Sequence, residues 1–152
     1  MTKSRRRRHG DFMGRGLAVL ALGAMAGSAN SACPPGAGDG TILRKDALAL
    51  AYRPLLNPGS GAAAKQVPMA RHFVLEVQLC SAAAATAHLA KVDASMPEHR
   101  HGMNYRPVIT PLGDGRYRVE GMMFHMAGRW EVAFEVRSGK EVTRLTHDMQ
   151  IE

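Results

Sequence analysis

Two short runs hold the residues whose types and spacing could do chemistry: Met96-Pro97-Glu98-His99-Arg100-His101-Gly102-Met103, and Met122-Met123-Phe124-His125-Met126. Together they carry three of the seven histidines and five of the ten methionines in the chain. Imidazole nitrogen suits several transition ions, whereas thioether sulfur is a soft donor that favours Cu(I). A mixed cluster of the two points to copper before zinc, with Cu(I) favoured and Cu(II) suited to a site richer in imidazole. The candidate ligands are His99, His101, Met103, His125, Met96 and Met126. Alternate side chains of an extended segment share one side, so His99, His101 and Met103 are expected to face together. Gly102 allows a bend between them and Pro97 stiffens the approach.

Each of these residues also has a plainer reading. Met96 is as good a core filler as a ligand. His125 suits either a ligand or a hydrogen-bonded core position beside Trp130, the only tryptophan. Asp93 is a candidate second-sphere acceptor for a ligand imidazole, and Trp130 a second-sphere neighbour. Met123 and Met149 read as core, and Met122 with Phe124 as an exposed apolar strip that a partner could cover. His72, His88 and His147 are isolated in sequence and read as surface residues, and Arg106 and Arg129 as solvated charges.

The elements that must position these residues begin after a targeting segment. Residues 1–32 combine Lys3, Arg5, Arg6, Arg7, Arg8 and Arg15 with the apolar run Leu17 to Ala26 and then small residues. That is the pattern of a secretory signal, with cleavage after Ala29 or Ala32, and the arginines also allow a twin-arginine route. The apolar run is shorter than the roughly 20 residues a membrane span needs. The expected location is therefore the bacterial periplasm. Fourteen basic and twelve acidic side chains remain beyond residue 32, so the +7 of the whole chain falls to +2 and nucleic-acid binding is not expected.

Residues 33–152 amount to one domain. Its two cysteines, Cys33 and Cys80, could pair in an oxidising compartment, or Cys33 could carry a lipid. Asn30 stands where a lipoprotein signal has an apolar residue, which favours the disulfide. Residues 33–70 are the least defined part, with a first edge strand around residues 41–52 for which helix is not excluded. Phe73, Leu75, Val77 and Leu79 alternate with other residues as in a strand with a buried face. A strand over residues 89–94 runs into the histidine loop, and residues 106–111 form a short strand before a Gly113-Asp114-Gly115 hairpin turn. Residues 116–126 and 129–137 are expected to form a hairpin turning at Ala127-Gly128, with Trp130, Val132, Phe134 and Val136 on a core face. Leu145, His147, Met149 and Ile151 alternate in the last strand. About seven short strands without a long amphipathic helix predict an all-β fold, an antiparallel immunoglobulin-like β-sandwich.

From about Phe73 onwards the chain resembles the YtkA-like and FixH-like family of small exported or membrane-tethered domains. The likeness lies in residues 92–103, in Arg106-Pro107, in residues 115–121 and in residues 124–131. The family's Asp-x-x-Met-Pro loop matches Asp93 to Pro97, and its Met-x-Gly-x-Trp turn matches Met126 to Trp130. The resemblance implies an immunoglobulin-like fold and a link to periplasmic copper handling or to oxidase assembly. This chain departs from it in lacking a FixH-type transmembrane anchor.

The expectation is a non-enzymatic, exported copper-binding protein, a copper chaperone or sequestering protein. It would hold the ion at a His/Met site for a protein acceptor. No phosphate loop, nucleophile elbow or His-His-Cys copper arrangement is present. The alternative is a metal-free interaction module that assists a membrane complex of the oxidase type.

Overall fold

The structure is a computed structural model and describes residues 40–57, 59, 63–80 and 86–152. The predicted signal segment, Cys33 and most of the Ala-rich stretch after Cys80 lie outside the described residues. Nine strands are present: β1 (Thr41–Lys45), β2 (Leu48–Leu55), β3 (Phe73–Leu79), β4 (Ala87–Met96), β5 (His101–Gly102), β6 (Val108–Gly113), β7 (Arg116–Met122), β8 (Gly128–Ser138) and β9 (Glu141–Ile151). They form a five-stranded sheet, β1-β2-β3-β7-β6, and a four-stranded sheet, β5-β4-β8-β9. Every neighbouring pair is antiparallel. With β1 and β5 set aside, β2-β3-β7-β6 and β4-β8-β9 follow the A-B-E-D and C-F-G orders of an immunoglobulin-like sandwich.

One core fills the space between the sheets. The alternating residues of β3 and β8 enter it as their periodicity predicts, and Trp130, Val132 and Phe134 are fully buried. The stretch left open between strand and helix is strand, because β2 is paired on both edges. Its two faces differ accordingly: Leu50 and Tyr52 enter the main core, while Ala49 and Ala51 pack with Cys80 on the other side. Residues 40–57 are thus an integral part of the sandwich. Cys80 is disulfide-bonded. The β6–β7 hairpin turns on Asp114 and Gly115, both with positive φ (52° and 72°), as a two-residue primed turn requires.

The expected hairpin at Ala127-Gly128 does not form. Both edges of β7 are taken by β3 and β6, and both edges of β8 by β4 and β9, so neither strand can pair with the other. Residues 123–127 instead cross from one sheet to the other. The expected register fails at Gly121, whose φ of +85° marks a bulge. Phe73 pairs with Met122 but Leu75 with Val119, so one extra residue is taken up on β7. That shift turns Met122 inward after Val119. Met122 and Phe124 are both fully buried, which corrects the expectation of an exposed apolar strip.

Candidate metal centre

The β4–β5 loop and the β7–β8 crossover meet at one end of the sandwich. Met96 and His101 are paired across a four-residue loop, residues 97–100, and share the inner face of their ladder. The turn is closed by His99 N–H donating to the Met96 carbonyl at 3.1 Å. Arg100 takes the left-handed conformation with φ of 56°. Met103 N–H bonds the Ala94 carbonyl at 3.0 Å, so Met103 follows His101 on the inner side, half-buried against the core. Strand alternation therefore brings His101 and Met103 together as expected, whereas a tight turn, not an extended segment, places His99.

The three imidazoles form a chain. The ring centres of His99 and His101 lie 5.9 Å apart, and those of His101 and His125 lie 5.2 Å apart. Two imidazoles sharing an ion at N–metal distances of about 2.0 Å have centres roughly 5–6 Å apart at bond angles between about 110° and 140°. The spacing fits that requirement. The His101 Nδ1 lies 3.2 Å from the Gly102 carbonyl, which in the Nδ1–H tautomer leaves Nε2 as the free donor. His125 Nδ1 is buried with no hydrogen-bond partner. A buried nitrogen left so costs about 1–3 kcal/mol, a penalty that an ion would remove. Among the described residues no three His, Cys, Asp or Glu side chains are already converged on one point, so closing on an ion requires side-chain rotation or thioether donors.

Trp130 forms the floor. Its ring stands edge-to-face with His101 at 5.7 Å and with His125 at 5.3 Å. On its other contacts it packs on Phe124 at 5.0 Å, and its indole N–H donates to the Met126 carbonyl at 3.0 Å. That bond fixes the crossover, and with it His125, above the core. His125 and Trp130 thus are neighbours without the expected hairpin between them.

The methionines divide. Met126 is 38% exposed at the rim. Met96 is fully buried in the core below His101. Its Cε lies where a Cβ on Gly128 would be only 2.7 Å away, so the missing side chain of Gly128 makes room for it. Among the described residues Asp93 bonds to no imidazole. It points to the outer face between the inward Val92 and Ala94, where it accepts the Ala94 N–H and pairs with Lys91 at 3.0 Å.

Sequence reasoning missed the charged latch beside the loop. Arg129 donates through Nε to Glu98 at 3.2 Å and through Nη1 to Asp148 at 3.0 Å, joining the histidine turn to β8 and β9. Asp148 and then Glu98 hold the Arg129 guanidinium above its ordinary range. Arg129 is therefore not the free solvated charge its sequence context suggested. The only local signal was Glu98 next to His99; Asp148 is far away in sequence. His147 is also not isolated, since its Nδ1 lies 2.6 Å from the Tyr52 hydroxyl. His72 is exposed and stands against Tyr105 at 5.4 Å.

No family model matches the chain, and no curated protein matches it. Among solved structures it is similar to a DUF4426 family protein from Pseudomonas aeruginosa PAO1. The identity is 10% and the TM-score 0.49, over 74% of this chain and 94% of that one.

Proposed function

We propose that this is an exported, non-enzymatic protein that holds a copper ion at the loop end of its sandwich, for sequestration or for transfer to an acceptor protein in the periplasm. The observation that carries the reading is the imidazole chain of His99, His101 and His125 over Trp130, with the His125 Nδ1 buried and unpartnered. His99, His101 and His125 are the nitrogen donors, and Met103 and Met126 the thioethers that would keep a reduced ion. Met96 acts beneath them as packing. The resemblance to YtkA-like and FixH-like domains points the same way. An open rim with exchangeable thioethers suits handing an ion on.

The test is a competition titration with Cu(I), Cu(II) and Zn(II) beside a His99→Ala/His101→Ala variant. The expected result is stoichiometric copper binding that the variant loses while it stays folded, its unfolding midpoint lowered only by the ring contacts of His101 with Trp130 and His125. Absence of competitive binding by any of the three ions refutes the reading.

A second reading, a metal-free module that docks on a membrane complex, draws on one observation. Edge strand β6 presents Val108, 62% exposed, and Leu112 to solvent. Val108→Lys would then abolish association with membranes while leaving the fold intact.

A further inference from the structure

The donors gathered at this end are neutral when they bind an ion: imidazoles and thioethers. The wall behind them is apolar, since Trp130, Phe124 and Met96 are all fully buried and no polar or charged residue is buried among the described residues. The carboxylate nearest in the loop is Glu98, one residue before His99, and it is committed to Arg129. Asp148 holds the other side of the same guanidinium. The latch as a whole carries one net negative charge, but both of its carboxylates are paired to Arg129, so an ion entering the site meets Glu98 already engaged rather than free. The desolvation cost of an ion grows with the square of its charge, so a dication loses about four times as much as a monocation on the same apolar floor.

We propose that Arg129 is a selectivity residue of this site: by holding Glu98 it keeps the donor set neutral, so that a monovalent soft cation, Cu(I) or its mimic Ag(I), is accepted over Zn(II) and Cu(II). The inference rests on the metal-holding reading above and adds the residue that sets the charge of the cargo. Releasing Glu98 would place a hard, anionic oxygen beside His99 and His101, a donor set that suits a divalent ion.

The experiment uses the full chain with Ag(I) and Zn(II) as probes in competition with a chromophoric chelator. It compares the natural protein with Arg129→Gln, Arg129→Gln/Glu98→Gln and His99→Ala/His101→Ala. The natural protein is expected to bind Ag(I) at least about 100-fold more tightly than Zn(II). Arg129→Gln should raise Zn(II) affinity by roughly tenfold while Ag(I) affinity stays within about threefold. Adding Glu98→Gln should return Zn(II) affinity to its starting value. A purely mechanical role for Arg129, holding the turn in place, would instead weaken both ions together and gain nothing from Glu98→Gln, and that result overturns the proposal. So does Zn(II) binding within tenfold of Ag(I) in the natural protein. If neither ion binds, or if Ag(I) binding survives His99→Ala/His101→Ala, it is the metal-holding reading that falls, and the selectivity proposal with it.

Discussion

Replacing His125 by phenylalanine separates a ligand from a structural histidine. The ring keeps its edge-to-face contact with Trp130 at 5.3 Å and its tilted contact with His101 at 5.2 Å, each of a kind contributing about 0.5–1.5 kcal/mol. What it loses is the buried Nδ1, which has no partner and costs about 1–3 kcal/mol. The extra ring atom takes back part of that gain, since overpacking is itself unfavourable, but the side chain is only half-buried and has room at the rim. The metal-free variant should therefore be about 1 kcal/mol more stable than the natural protein, read as a higher urea midpoint at unchanged slope. Metal inverts the order. At a free copper concentration 100 times its dissociation constant the natural protein gains about 2.7 kcal/mol, and a variant without the nitrogen donor gains far less. A metal-free His125→Phe protein that is less stable by about 1 kcal/mol or more would refute the reasoning, because it would show that the nitrogen is satisfied in the fold.

Met96→Ala should destabilise the protein by about 2–5 kcal/mol in chemical denaturation, since it empties a fully buried position under the histidine loop. Gly128→Ala should cost about 2–4 kcal/mol from its positive φ of 124° and its approach to Met96, and should cost less in a Met96→Ala background, as a double-mutant cycle would read. Burial pushes the Tyr52 hydroxyl from 10.0 up to about 12. Folding thus favours its protonated form, and that stability is intact below pH 10 and falls as pH rises from about 10 to 12, by on the order of 2 kcal/mol. Tyr52→Phe should flatten that fall in urea midpoints measured between pH 9 and pH 11.5, and should lower stability near neutral pH by about 0.5–1.5 kcal/mol through loss of the bond to His147.

Where a strand buries one face and exposes the other, its period was legible in the chain. Phe73 to Leu79, Trp130 to Val136 and Leu145 to Ile151 are strands in the register their alternation predicts. The turn at Asp114-Gly115 was legible for a different reason, because few residues tolerate positive φ at both positions. The crossover at residues 123–127 was not. A bulge at Gly121 shifts the alternation by one residue, and an apolar run across it reads as a continuous strand. Met122 and Phe124 were misplaced by that single slip. The same error did not move His125 away from Trp130, since the two lie close whether the chain turns within a sheet or crosses between sheets.

What the sequence determined by itself was where the imidazoles and thioethers are concentrated, and the fold class. Three histidines and five methionines are concentrated in two short runs, and period-two burial with glycine turns leaves little but a sandwich. Which of those side chains stand at the rim and which are sealed in the core was decided only in three dimensions. Met96 and Met126 look alike in sequence, yet one is sealed beneath a glycine and the other stands at the rim. Asp93 belongs to the ligand loop in sequence but to the outer face in space. The Arg129 latch joins residues 31 and 19 positions apart. Pairings of that kind arise from sheet register and sandwich closure, which depend on every strand at once, and no local window of the chain contains them.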